Sequence, residues 1–464
     1  MKKQKSIRKK WKYFFKPLHW QLSLETMNEA LLQFIWQYSL YKPSGLQTAG
    51  GESLTVIYPG KLNRDAGPDF LEGKIKIGNT ILVGNIELHI KSSDWLKHGH
   101  QKDAAYQHLI LHVVFENDLA DAAANTPVLE LKDHIPSHVL AHYAGLMQTT
   151  QKLPCAGQHQ KVKDITKEAW LSRLLAERWE QKLADWNVLL ENSAEDWRNL
   201  LYWRMAANFG FKTNATPFLM LAQSLPLNIP TRHKDNLLQL EALFFGQAGM
   251  LEDDFKDDYP RELQREYDYL RKKYQLKPIK SHLWKFLRMR PANFPTIRIA
   301  QFAALIHKSI HLFSQIIETH TVKEIEPLLD ITASEYWNTH FQFDVAQKQV
   351  TPKSLGISSV QNIIINTVAP IQFLYAARQD TNKLQEHSLQ LLEAVPAEKN
   401  NITRIWAEND WHAANASQSQ ALLQLYNNYC TAKRCLECSV GLNIIRSENN
   451  ISNPQQLDNT RKPL

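Results

Sequence analysis

The stretch Gly84-Asn85-Ile86-Glu87-Leu88-His89-Ile90-Lys91 decides how the N-terminal part of the chain folds. Side chains alternate between the two faces of a strand. Ile86, Leu88 and Ile90 therefore point into a core, and Asn85, Glu87, His89 and Lys91 form a polar row. A carboxylate, an imidazole and an ammonium on one face exceed what a solvated sheet needs, although a plain amphipathic strand gives the same alternation. Just upstream, Asn63-Arg64-Asp65-Ala66-Gly67-Pro68-Asp69-Phe70 is turn-rich and dense in carboxylates, and it leads into a second alternating strand, Lys74-Ile75-Lys76-Ile77. Further out, Leu31, Leu32, Ile35 and Trp36 recur at helical spacing, and Leu54 to Tyr58 reads as a strand. Residues 96–108 form a polar stretch read as helix, and Leu109-Ile110-Leu111-His112-Val113-Val114-Phe115 is a continuous apolar strand. The order is helix, three strands, helix, strand.

These residues resemble the PD-(D/E)XK nuclease core shared by restriction enzymes, repair exonucleases and junction resolvases. The resemblance implies an α+β fold with a restriction-endonuclease-like mixed sheet flanked by helices. It makes Asp69 and Glu87 ligands of magnesium or manganese, puts His89 in the slot usually held by lysine, and leaves Lys91 to supply the fixed charge. Glu29 on the first helix would face the same site. Asp69, Glu87 and His89 are then expected to converge at the edge of the sheet and to hydrolyse phosphodiesters of DNA or RNA. The alternative is an inactive nuclease-fold protein acting as a nucleic-acid-binding or scaffold protein, which the histidine at the lysine position also fits. A third reading uses His98, His100 and Asp103 as zinc ligands of a hydrolase, since H-x-H is a ligand spacing, though those residues also suit a plain helix entry. The wider chain resembles a bacterial family recorded only as a domain of unknown function. Asp65-Ala66-Gly67-Pro68-Asp69-Phe70, Ser92-Ser93-Asp94-Trp95, His98-Gly99-His100 and Asp103-Ala104-Ala105-Tyr106 carry that likeness.

Composition sets the remaining bounds. The 464 residues suffice for two or three domains, and 22% charged with 44% hydrophobic residues is ordinary for a globular chain. We read residues 1–20 as a basic arm, 21–150 as the nuclease-like domain and 151–464 as a mostly helical domain. A net charge of +7 permits nucleic-acid binding without requiring it. No apolar run reaches the ~18 residues of a membrane span, and lysines interrupt the apolar residues after Lys10, so no secretory signal is read. A cytoplasmic address and no membrane partner are expected.

After Gln151 the pattern becomes helical, broken at prolines such as Pro217, Pro260 and Pro291. Trp179, Trp186, Trp197 and Trp203 read most simply as core packing. In Trp284-Lys285-Phe286-Leu287-Arg288-Met289-Arg290 and onward to Arg298, arginines interleave with aromatic residues. Arg288, Arg290 and Arg298 are candidate phosphate contacts, or else partners in a salt-bridged connection. The chain has four cysteines, too few for a secreted disulfide scaffold. Cys430, Cys435 and Cys438 form C-x4-C-x2-C, and Cys155 is the one left over. The spacing suits a shared soft or borderline metal, zinc or an iron–sulfur cluster, with all four thiols as ligands; buried thiols acting as small apolar side chains give the other reading.

Overall fold

The computed structural model describes residues 27–119 and 126–448; the basic arm read over 1–20 lies outside the described residues. The chain divides into two compact units, one formed by residues 1–170 with 425–464 and the other by 171–424.

The first unit is built on a mixed sheet. Its strands are β1 (Leu54–Tyr58), β2 (Lys61–Leu62), β3 (Phe70–Ile77), β4 (Thr80–Lys91), β5 (Leu109–Glu116) and β6 (Val128–Glu130). The order is β1-β3-β4-β5-β6, with β2 paired to β3. β1, β2 and β4 run antiparallel to β3, whereas β5 is parallel to β4 and β6 parallel to β5. A two-residue turn joins β3 to β4, with Gly78 at φ +54° supplying the backbone that primed hairpin turns need. The parallel step to β5 requires a crossover, which the chain makes through residues 92–108. There the single helix expected from the polar pattern is instead helix α2 (Asp94–His98) followed by two short 3-10 turns, His100–Lys102 and Ala104–Tyr106.

Helix α1 (Glu29–Gln37) starts at Asn28, whose side chain accepts from Leu31 N, and buries Leu31, Leu32, Phe34, Ile35 and Trp36. Each such side chain contributes about 1.5–3 kcal/mol by leaving water. β5 is apolar on both faces because both are covered: Leu111, Val113 and Val114 are fully buried. β4 consequently lies inside the sheet, between β3 and β5, and the expectation of a site at the sheet edge is corrected to an interior strand.

Irregularities re-aim two segments of this sheet. Register shifts fall between Phe70 and Gly73 of β3, where Glu72 takes φ +57°, and between Asn85 and Ile86 of β4. The first inserts its extra residue into β3, just after Asp69, and the second inserts Ile110 into β5, opposite the β4 segment that leads to Glu87. Gly73 pairs with Gly84 between them, so the backbones of β3 and β4 meet without side chains there.

The C-terminal segment belongs to this unit rather than to a helical domain beginning at Gln151. Helix Ser439–Arg446 packs on helix α3 (Ser137–Gln148), where the His142 Nδ1 lies 2.8 Å from the Ile444 carbonyl oxygen. Packing between segments 300 residues apart leaves no periodic trace in sequence, which is why composition alone sets the boundary elsewhere. The second unit, 171–424, is helical, with Trp186, Phe209, Phe244, Phe302 and Trp337 fully buried. Trp179 packs edge-on against Phe373 and Trp197 against Tyr375. No helix among the described residues is long and apolar enough to cross a membrane.

Gly84 tests the tightness of the β4–β5 junction. A Cβ there would lie 2.5 Å from Ile110 Cγ2 and 2.7 Å from the His108 carbonyl oxygen. Gly84→Ala is expected to cost about 1–3 kcal/mol in denaturant unfolding. Unchanged stability would mean the strands do not approach as closely as described.

Candidate metal centre

Asp69 stands just before β3 and Glu87 two-thirds along β4, and the bulged register brings them together. The Asp69 N–H donates to Glu87 Oε2 at 3.0 Å, and the Leu88 N–H donates to Asp69 Oδ2 at 3.0 Å. Gln33 on α1 donates through Nε2 to Asp69 Oδ1 at 2.8 Å. Each carboxylate is therefore fixed by the backbone of the other's strand. Glu87 keeps its second oxygen free of those bonds, and that oxygen faces imidazoles: Oε1 lies 3.4 Å from His100 Nε2 and 3.7 Å from His89 Nε2.

The imidazoles come from three places. His89 follows Glu87 on the same face of β4, His112 comes from β5, and His98 and His100 from the crossover. His89 Nδ1 lies 2.9 Å from His112 Nε2, and His89 Nε2 lies 3.1 Å from His98 Nδ1. Trp95 anchors α2: its buried ring meets His100, His112 and the Tyr106 ring at 5.2–5.7 Å. Gly99 then takes φ +75°, a left-handed helix end that returns the chain so that His98 and His100 both face β4. The ligand atoms of His89, His98 and His100 all lie within 4.8 Å of one another.

Donors about 2.0–2.1 Å from one tetrahedral or octahedral ion stand roughly 2.9–3.4 Å apart; the His89–His98 pair at 3.1 Å and the Glu87–His100 pair at 3.4 Å meet that spacing, and the Glu87–His89 pair at 3.7 Å is slightly wider. Among the described residues His100 Nε2 is buried without a hydrogen-bond partner, as a nitrogen aimed at a ligand would be. The site is closed on one side and open on the other: His89 is 1% exposed and Glu87 5%, whereas His98 is exposed.

Burial sets the protonation states. It pushes the Asp69 carboxyl up to about 6 and the Glu87 carboxyl up to about 8, with Asp69 and Glu29 adding repulsion at Glu87. Burial, then the neighbouring imidazoles, pull His89 down to about 3 and His112 to about 4, and His100 moves the same way. Neutral imidazoles are the ligand form. Carboxyls reluctant to ionise in isolation ionise readily beside a cation.

The residues singled out in the sequence divide accordingly. Asp69, Glu87 and His89 lie together. His89 has both ring nitrogens against other imidazoles, so it is not a free base in a lysine slot. Glu29 acts on both carboxyls from the first turn of α1. Lys91 lies at the end of β4, where its charge acts on Asp118. Asp103 caps the turn Ala104–Tyr106, accepting from Ala105 N, and His89 takes the third place beside His98 and His100. His112 was missed because β5 reads as purely apolar; one histidine in a buried strand was the available signal. Arg298 is a correction: it is 5% exposed, and its donors go to Gln301, Asn293 and Ser359 over the Phe211 ring, so it does not face phosphates. Arg288 and Arg290 are exposed in the helical unit. The four cysteines line one small cavity in the first unit.

The chain belongs to the family described as "Protein of unknown function (DUF2851)", which matches residues 29–401, more than half of the 464 residues. No curated protein and no solved structure matches it.

Glu87 gives the site a testable pH dependence. A carboxyl raised in the folded state keeps its proton there after the unfolded chain has lost it, so stability falls as pH rises from its ordinary value through the folded one. For Glu87 that window runs from 4.5 to about 8. Asp69 has ionised by about 6, and His89 and His112, shifted down from 6.5, act only below that value. Between about pH 7 and pH 8 Glu87→Gln should therefore gain on metal-free parent protein by about 1 kcal/mol. A stability difference that is flat across that interval contradicts the assignment.

Proposed function

We propose that the protein is a metal-dependent hydrolase of phosphodiesters, with His89, His98, His100 and Glu87 holding the metal. The clustering of three imidazoles, with a Glu87 oxygen 3.4 Å from the His100 ring, carries this reading. The resemblance to PD-(D/E)XK nucleases led to magnesium or manganese between Asp69 and Glu87. Three imidazole donors move the preference toward a borderline ion such as zinc or ferrous iron. When bound, such an ion supplies Lewis acidity to a phosphoryl oxygen and makes water acidic near neutral pH.

The protein's own groups take the remaining roles. His89 is held from behind by His112, an arrangement that fixes a ligand's ring orientation. Asp69 is half-buried beside Glu87 and tied by Gln33 and Leu88 N–H. With its carboxyl near 6 it is suited to accept a proton from attacking water at neutral pH. Exposed His98 marks the side from which a substrate reaches the site. DNA or RNA as substrate follows the resemblance to PD-(D/E)XK nucleases, and the net charge of +7 permits it.

The test is hydrolysis of single- and double-stranded DNA and RNA with zinc, ferrous iron, manganese or magnesium. His98→Ala, at an exposed position, is expected to lower the rate at least 10–100-fold with an unchanged melt. Asp69→Asn should lower kcat while metal content stays. His89→Lys should abolish cleavage, because an ammonium would replace a ligand in a buried site. Full activity in His98→Ala would refute the centre. Nucleic-acid binding without cleavage under every metal would favour the scaffold alternative.

A further inference from the structure

The four cysteines gather at a second place in the same unit. Cys155 lies in the turn after α3; Cys430, Cys435 and Cys438 lie where the chain re-enters this unit. All four are free and buried, and together with Leu425 and Tyr429 they line one small cavity. A chain that puts every one of its cysteines around one cavity is not using them as scattered apolar fillers.

The backbone around the cavity is shaped for the sulfurs. Residues Tyr426–Cys430 form a π-helical turn that ends on Cys430, a local widening that concentrates at functional sites. Cys438 precedes helix Ser439–Arg446, and the N–H groups of Val440 and Gly441 at the start of that helix point toward it. Gly441 is required there: a Cβ would lie 2.1 Å from the Cys435 carbonyl oxygen. Lys433 donates to the Met147 and Thr149 carbonyl oxygens at the end of α3, which holds the cysteine loop in place and leaves positive charge beside Cys435. Backbone donors to sulfur, with nearby cations, are what a metal–thiolate centre uses to spread its negative charge.

The spacing of the sulfurs selects among metals. Four thiolates on one zinc, each at 2.3 Å, stand about 3.8 Å apart. Among the described residues only the histidine trio has three or more ligand atoms all within 4.8 Å of one another, so no three of these sulfurs do. The ring of thiols is wider than a single zinc would draw it, and a cluster, whose several irons stand between the sulfurs, suits the wider ring. We propose that Cys155, Cys430, Cys435 and Cys438 ligate an iron–sulfur cluster that fastens the C-terminal segment to the turn after α3. Without a metal these thiols are inert: burial pushes Cys435 up to about 12 and moves the other three upward too, which excludes a reactive-cysteine role.

The test uses the full chain, purified without oxygen and reconstituted with ferrous iron and sulfide. Iron and acid-labile sulfide in equal amounts, about two to four of each per chain, with visible absorbance that dithionite bleaches, are expected. Cys435→Ser and Cys155→Ala should lose that absorbance, and His98→Ala should keep it, which separates this centre from the histidine site. The unmutated chain decides even if the cysteine variants fold poorly. One zinc per chain without sulfide, or neither iron nor zinc, overturns the proposal.

Discussion

The Glu87 carboxylate, 5% exposed on an interior strand, is the constraint around which the first unit is arranged. Taking an anion out of water costs several kcal/mol unless something positive or hydrogen-bonding replaces the water. Here one oxygen takes the Asp69 N–H, and the other faces imidazoles that burial keeps neutral. The nearest other charges are the carboxyls of Asp69 and Glu29, which make ionisation harder. Such an arrangement is stable either with a proton on Glu87 or with a cation among the donors. At neutral pH those two alternatives compete, because metal binding requires the carboxyl to give up its proton.

The fold serves this placement. A central strand between β3 and β5 is held on both edges by ladders, so Glu87 and His89 have little freedom to drift. The extra residue on β3 between Phe70 and Gly73 lies beside Asp69, and hydrogen bonds from the Asp69 and Leu88 N–H groups tie the two carboxylates together, while Gly73 opposite Gly84 lets the two backbones approach. The crossover does the rest: Trp95 wedges α2 onto the sheet, and the left-handed Gly99 brings two histidines of a three-residue motif onto one point. The centre thus combines rigid donors from the sheet with donors from a short loop, one of them open to solvent.

Much of the sheet was legible from alternation alone. The strand carrying Ile75 and Ile77 stands where alternation puts it because it buries a repeating face, and β5 stands where its continuous apolar run puts it because both of its faces are covered. The pairing of Asp69 with Glu87 also follows from the turn before β3. What the sequence did not disclose depends on distance in the chain. His89 joins His98 and His100 only because the crossover folds back, and the crossover is a run of short turns held by Trp95 rather than the regular helix its polarity implied. β4 is interior because β5 and β6 add beyond it. Arg298 looked like a phosphate contact beside aromatic residues, yet its guanidinium fills a buried pocket over Phe211. The return of Ser439–Arg446 to α3 had no local signature at all.

Anomalous diffraction from crystals grown with zinc tests the central claim most directly. A peak is expected at the zinc edge about 2.0–2.2 Å from nitrogens of His89, His98 and His100 and from one oxygen of Glu87. A peak lying only between the carboxylates of Asp69 and Glu87, with the three imidazoles unligated, or no peak in this site at all, would contradict it.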